Sequence, residues 1–143
     1  MSSTVLYAMA CALAFGVWNV LHSAASKHIN GVLGAMIISA VAIIPAGIIL
    51  LPGYMQNEPV HWEPRGILFT VLTGLCAFAV DYFALKTFSD GVDVSLASPI
   101  IIGGAILIST LVGFGLGEAP SVTKFLGVGL IVAGVMLIAP DVE

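Results

Sequence analysis

Apolar residues form five long runs along the chain, and the polar and charged residues are concentrated in the connections between them. The runs cover residues 4–25, 32–51, 66–85, 94–116 and 122–138. About 20 apolar residues in a helix, which rises about 1.5 Å per residue, are enough to cross the hydrocarbon core of a bilayer. The pattern therefore predicts an all-α integral membrane protein with five transmembrane helices. No linker or low-complexity stretch interrupts the pattern, so residues 1–143 are expected to form a single membrane domain.

The fourth run, residues 94–116, has no ionisable side chain, and its small residues recur at four-residue steps. Such steps place positions on one face of a helix, where short side chains let a second helix backbone come close. The stripe consists of Ala97, Ala105, Ser109, Gly113 and Gly117. Pro99 lacks a backbone N–H and leaves a carbonyl that protein or cavity water must satisfy. We interpret this helix as a packing and hinge element that lines an internal cavity. The alternative is a lipid-facing anchor in which the glycines are tolerated.

The composition strengthens the membrane interpretation. Hydrophobic residues make up 59% of the chain and charged residues 8%, with a mean hydropathy of +1.14. Soluble proteins carry about 25% charged residues. Four basic residues and a net charge of −4 are too little positive charge for a nucleic-acid interface, which excludes that class of partner.

The sequence gives no sign of an enzyme, a cofactor or a metal site. Cys11 and Cys76 lie inside apolar runs, as small packed residues do, and no histidine stands at metal-ligand spacing from them. Neither an HExxH pair nor a GxSxG motif occurs. We expect no catalytic residue, no cofactor and no metal.

The basic residues do not favour one orientation in the membrane. Five crossings would place Arg65 and Lys124 on one side and Lys27 and Lys86 on the other. Since an excess of Lys and Arg normally marks the cytoplasmic side, equal numbers predict insertion in both orientations. The alternative is that four charges are too few to decide, and that the cellular context sets the orientation.

Asp81 is the one carboxylate well inside an apolar run. An ionisable group inside the membrane is costly, so it suggests a functional site that faces the helix bundle. There it could exchange a proton for a substrate. The alternatives are that Asp81 is hydrated near the interface, or that it pairs with a neighbour such as Lys86.

The first helix carries a second polar group of residues. Trp18 and Asn19 stand four and three positions before His22, and we expect Trp18 and Asn19 to line a solute pocket. His22 either joins that pocket or marks the end of the helix in the headgroup region. Tyr82 and Ser98 could complete a polar substrate pathway near Asp81.

Glu118 follows the stripe of the fourth run and precedes the last helix. We expect it to be a structural carboxylate in the turn that caps the N–H groups at the start of that helix. The alternative is a gate residue.

Several motifs in the last three runs occur together in a known family. The third run ends in Tyr82-Phe83-Ala84-Leu85-Lys86, Pro99 stands early in the fourth, Gly117-Glu118 closes it, and Gly127 and Gly134 follow in the fifth. Together they resemble the second half of an EamA domain of the drug/metabolite transporter superfamily. The resemblance implies one five-helix half-transporter unit in a prokaryotic plasma (inner) membrane. Such units are usually present twice per chain, in opposite orientations around a substrate pathway.

A single unit needs a second one, so the resemblance implies a homodimer, antiparallel if the chain inserts both ways. The four-helix small multidrug resistance proteins assemble in this manner, but they carry a glutamate in the first helix that this chain lacks. Proton-coupled export of cationic drugs would therefore depend on Asp81.

The expected function is secondary transport of a small organic solute, a metabolite or a drug, by alternating access of a dimer in the lipid bilayer. Coupling to a proton or to another ion is left open. The alternative is a non-transporting membrane subunit that packs against a partner membrane protein and regulates it.

Overall fold

The computed structural model describes residues 3–56 and 60–138, which are helical apart from short connections and contain no β-strand. The helices are α1 (Ser3–Ser26), α2 (Gly31–Val41), α3 (Ile43–Met55), α4 (Pro64–Ser89), α5 (Val94–Gly115) and α6 (Val122–Ile138). The all-α fold class is therefore confirmed.

Four segments are long and apolar enough to cross a membrane: α1, α4, α5 and the 25-residue stretch Gly31–Met55, which joins α2 and α3. The fifth, α6, has 17 residues, or about 26 Å, near the lower limit for a crossing. Their outer surfaces are apolar, with large side chains such as Leu13, Ile49 and Leu130 exposed. This distribution suits a protein whose surrounding solvent is lipid.

One continuous helix was predicted over residues 32–51, but in the structure this stretch is interrupted at Ala42. Pro45 has no N–H to donate to the carbonyl of Val41, and its ring would clash with that carbonyl in a continuous helix. The interruption therefore falls at Ala42, whose N–H is accepted by the Ile38 carbonyl at 3.1 Å. Pro45 is tolerated in the first turn of α3. α3 then continues to Met55, beyond the predicted end.

The chain divides between Asp90 and Gly91 into two compact units. In the first unit, α4 packs against both α1 and α2. α2 approaches α4 closely at Gly34, where an added Cβ would lie 2.6 Å from Leu85 Cδ1. Leu85 is only 1% exposed, so its side chain is surrounded by other groups. Glycine at position 34 is therefore what allows these two helices to touch.

In the second unit, α5 packs against α6 through Gly103. A Cβ at Gly103 would lie 2.5 Å from Val135 Cγ2 and 3.4 Å from Ile131 Cγ2. Gly103 is not a member of the predicted stripe. Of the stripe residues within α5, Ala97 and Gly113 are buried, whereas Ala105 and Ser109 are exposed. Pro99 lies inside α5 and is half-buried.

Gly117 lies beyond the end of α5, so it does not extend the predicted stripe. Its φ of +96° is the left-handed conformation that favours glycine. The Gly117 N–H is accepted by Phe114 O at 3.1 Å and the Glu118 N–H by Gly113 O at 3.0 Å. These two bonds form a Schellman motif. The role of Gly117 in this fold is to terminate the helix.

Glu118 lies in the predicted turn, but the cap of α6 is a different residue. Ser121 Oγ accepts the backbone N–H of Lys124 at 3.2 Å, whereas Glu118 accepts from Lys124 Nζ at 3.3 Å. A Cβ at Gly113 would lie 3.0 Å from the Glu118 carboxylate carbon. The Glu118 carboxylate folds back over Gly113 and binds the Lys124 side chain. Ser121 occupies the N-cap position, from which a side chain reaches the free N–H groups of α6.

Candidate functional site

The first unit buries polar side chains and exposes apolar ones. Asn19, His22 and Ser26 are 1%, 3% and 6% exposed and share one side of α1, and Asp81 on α4 is 7% exposed. Steps of three and four residues place the α1 positions on one face, and α1 packs against α4. Buried ionisable groups within membrane spans mark functional sites, because burying them is costly.

Asp81 accepts hydrogen bonds from α1. Its Oδ1 accepts the indole Nε1–H of Trp18 at 3.2 Å and lies 3.2 Å from His22 Nε2. Lys86 instead binds Asp90, four residues away, at 3.2 Å on the exposed end of α4. The suggested pairing of Asp81 with Lys86 is therefore wrong, since Lys86 lies close to Asp90 and Asp81 faces α1.

His22 is held in one orientation by two contacts. Its Nδ1 lies 3.0 Å from the Trp18 carbonyl oxygen, and its Nε2 faces Asp81. The Trp18 and His22 rings lie 3.8 Å apart between centroids, and Phe15 stacks on Trp18 at 5.0 Å. His22 is therefore buried between helices, and its depth in the membrane stays a prediction.

Asn19 is buried but only half satisfied. Its Nδ2 donates to the Phe15 carbonyl at 3.0 Å. Its Oδ1 has no hydrogen-bond partner within the part of the chain that the structure describes. A buried acceptor without a donor is costly, so Asn19 Oδ1 is available to a ligand or to water.

Tyr82 does not join Asp81, although it is the next residue along α4. Its ring lies beside the start of α2, where a Cβ added at Gly31 would be 3.6 Å from Tyr82 Cδ2. Consecutive residues on a helix point in different directions, which separates the two side chains. Ser98 belongs to the second unit and is half-buried, and its Oγ has no partner among the described residues. Its place in a pathway with Asp81 stays a prediction.

An apolar cavity of about 390 Å³ adjoins Trp18 and His22 in the first unit. Its other walls come from α1, α2 and the interruption before Pro45, through Leu21, Ala25, Ile37, Ile38, Val41, Ala42 and Pro45. The volume is within the range of about 300–1,000 Å³ that is typical of small-molecule sites. Both this cavity and a larger one of about 500 Å³ at the start of α4, beside His61 and Trp62, are walled mostly by exposed residues. The larger cavity lacks buried polar groups, so the cavity at Trp18 and His22 is the stronger candidate.

Comparison with known families decides the assignment. The chain matches the EamA-like transporter family over residues 2–139. The chain belongs to this family. The resemblance seen in the last three runs is therefore confirmed and extends over nearly the whole length. Neither a curated protein nor a solved structure matches this EamA protein.

EamA family members are membrane transporters, so membership supports a transporter-like role for this chain in a membrane. The multi-pass α-helical fold agrees with that role. The buried contact between α1 and α4 gives the family assignment a specific candidate site. Trp18, His22 and Asp81 form its polar part, and the apolar cavity adjoins it.

Proposed function

We propose that this EamA protein is a secondary transporter of small organic solutes that works by alternating access as a dimer in a prokaryotic inner membrane. The observation that carries the proposal is the buried contact of Asp81 with Trp18 and His22. A carboxylate and an imidazole inside membrane spans are costly, and transport pathways and proton relays are where such groups normally occur.

The cavity suggests the kind of solute. Its walls are apolar apart from the ring edges of Trp18 and His22. A pocket of this character would hold the apolar body of a small molecule, while a few polar groups fix its orientation. Asn19 Oδ1 is buried without a hydrogen-bond partner among the described residues, but Asn19 does not line this cavity, so its place in a solute pathway stays a prediction.

The dimer follows from the number of helices. Five spans make one repeat, whereas inverted-repeat transporters need two repeats to enclose a pathway. The balance of Arg65 and Lys124 against Lys27 and Lys86 supports an antiparallel pair. The exposed small residues Ala105 and Ser109 offer α5 a surface that a second copy could approach closely.

The first prediction concerns Asp81→Asn. The variant keeps the size of the side chain but removes the charge and the proton-exchanging group, so we expect coupled transport to be lost while the dimer persists. The measurement compares intracellular solutes in cells expressing wild type or variant, by mass spectrometry. The same cells give the oligomeric state after extraction in a mild detergent.

Asp90→Asn is the matched control, because Asp90 lies at the exposed end of the same helix and its carboxylate binds Lys86 and no other side chain recorded among the described residues. Its solute profile should equal that of wild type. Unchanged transport in the Asp81 variant would assign Asp81 a purely structural role. Absence of flux from the purified wild-type chain in liposomes, together with a stable complex with another membrane protein, would favour the regulatory-subunit alternative.

A further inference from the structure

The contact between Trp18 and His22 determines which imidazole nitrogen carries a hydrogen. The Trp18 carbonyl oxygen lies 3.0 Å from His22 Nδ1, and a carbonyl oxygen can only accept. A hydrogen bond at this distance therefore requires Nδ1–H. In a neutral His22, Nε2 must then be the unprotonated nitrogen with a free lone pair.

That nitrogen faces a carboxyl oxygen. His22 Nε2 and Asp81 Oδ1 are 3.2 Å apart, with both residues buried. A lone pair on Nε2 opposite an ionised carboxylate would put two acceptors in contact, without a hydrogen between them. The observed contact therefore needs one additional proton, either on Nε2 beside an ionised Asp81 or on Oδ1 beside a neutral His22. Both arrangements contain the same number of protons.

Among the described residues, the pair has no recorded contact with a further charged side chain. Trp18 contributes an indole N–H, which is a donor and does not titrate in water. α2 packs against both α1 and α4, and its residues Gly31–Val41 include no ionisable side chain. Lys86, the nearest base along α4, is bound to Asp90.

We propose that His22 and Asp81 form a binding site for a single proton that joins α1 to α4. The proton lies between Nε2 and Oδ1 and is released to water when the site opens. After release, the Nε2 lone pair and the ionised Oδ1 repel one another, so the His22–Asp81 contact opens while the Trp18 N–H continues to donate to Asp81. This deepens the proposed function, since it names the coupling ion as a proton and the number as one per chain.

The proton site is connected to the candidate solute cavity through two shared side chains. Trp18 and His22 are both part of the cavity wall, and both contact Asp81 Oδ1. A change in the His22–Asp81 contact therefore changes the shape of the wall. Protonation and solute binding would then be linked by the same residues, which is the requirement for coupled binding at one site.

The test is ¹⁵N NMR of the imidazole in the purified full chain, in lipid nanodiscs. His28→Gln and His61→Gln together leave His22 as the only histidine, and both replaced residues are exposed. Trp62→Phe leaves Trp18 as the only tryptophan. Across a pH series, we expect the Nδ1–H signal to persist. The Nε2 signal and the Trp18 indole signal should change together as the proton leaves.

Asp81→Asn in the same background removes the shared proton. The Asn side chain cannot release a proton, and the Trp18 carbonyl still accepts from Nδ1, so we expect neutral Nδ1–H histidine throughout the pH series and loss of the pH-dependent change. A neutral His22 with its hydrogen on Nε2 would overturn the proposal. So would an Nε2 titration that is identical with Asp and with Asn at position 81.

Failure of this inference and failure of the proposed function can be told apart, because the NMR measurement involves no transport. Should Asp81→Asn not fold, the tautomer and the joint Trp18 change in the His28/His61 background still decide the question. The expected NMR behaviour without solute flux would retain the proton site and reject the transporter. Solute flux together with a neutral His22 that carries its hydrogen on Nε2 would retain the transporter and reject the proton site.

Discussion

At the residue scale, the candidate site depends on Trp18, which contacts the other two members through different groups. Its indole N–H donates to Asp81, and its backbone carbonyl accepts from His22 Nδ1. Phe15 stacks on the indole ring and limits its movement. One residue therefore orients the carboxylate on α4 and fixes the hydrogen position on the imidazole of α1.

The Trp18→Phe variant separates these two roles. The ring and the backbone carbonyl remain, but the donor to Asp81 is lost. Hydrogen bonds to charged groups contribute about 1.5–3 kcal/mol. Since Trp18 is half-buried, we expect a loss of about 1–2 kcal/mol in the free energy of unfolding and weaker coupled transport. Reversible unfolding of the purified protein in mixed micelles measures the first effect.

Trp62→Phe is the control, because Trp62 is 67% exposed in the connection before α4. Its unfolding free energy should stay close to that of wild type. Equal stabilities of the two Phe variants would show that the Trp18–Asp81 bond contributes nothing.

The members of the site can be predicted from the sequence, but their pairing cannot. Asp81 is conspicuous as a carboxylate in an apolar run, and Trp18 and His22 share a helix face by spacing. His22 and Asp81 are 59 residues apart, and their contact depends on how α1 is rotated and shifted against α4. The contact of Tyr82 could not be predicted either, since only the packing of α2 against α4 shows that Tyr82 faces Gly31.

At the element scale, single glycines determine where helices touch. Gly34 admits Leu85 between α2 and α4, and Gly103 admits Val135 between α5 and α6. Helix association in lipid depends on this kind of close contact, because burying apolar side chains gains little there. Gly103 and Gly104 are adjacent in α5, and only Gly103 is in close contact with α6, so alanine variants of the two test whether such contacts hold the helices together.

Gly103→Ala should weaken the packing of α6 on α5, whereas Gly104→Ala should not. An added Cβ at Gly103 would be 2.5 Å from Val135 Cγ2, and Gly104 has nothing within 4 Å. Overpacking costs about 1–3 kcal/mol, so we expect a loss of this size in unfolding free energy for the first variant. Comparison of unfolding curves for the two variants provides the measurement. Equal curves would contradict the assigned contact.

The sequence predicts helix spans well and helix contacts poorly. Spans follow from the length of apolar runs, so α6 begins and ends at the predicted residues 122 and 138. The stripe of small residues in α5 suggested a packing face, but the glycine in contact with α6 is Gly103, off that stripe. α5 has small residues on more than one face, including Gly103 and Gly104, and periodicity alone does not select the face that packs. The interruption at Ala42 was not predicted, although Pro45 could have indicated it, because a proline inside an apolar run breaks or kinks a helix.

At the scale of the whole molecule, the central claim is that this EamA unit pairs with a second copy in the opposite orientation. The match to the family over residues 2–139, the expected equal division of Lys and Arg between the two sides, and a large exposed apolar surface all support it. An antiparallel pair would supply the second repeat that an inverted-repeat pathway needs.

The most direct measurement is the orientation of the chain in intact cells. Cys11 and Cys76 are first replaced by alanine, and single cysteines are then placed at His61 or at Ser89, exposed positions expected on opposite sides of the membrane. Labelling with a membrane-impermeant thiol reagent is compared with labelling after permeabilisation. We expect about half of the molecules to be labelled at each site, since equal charge favours both orientations. Complete labelling at one site and none at the other would contradict an antiparallel homodimer.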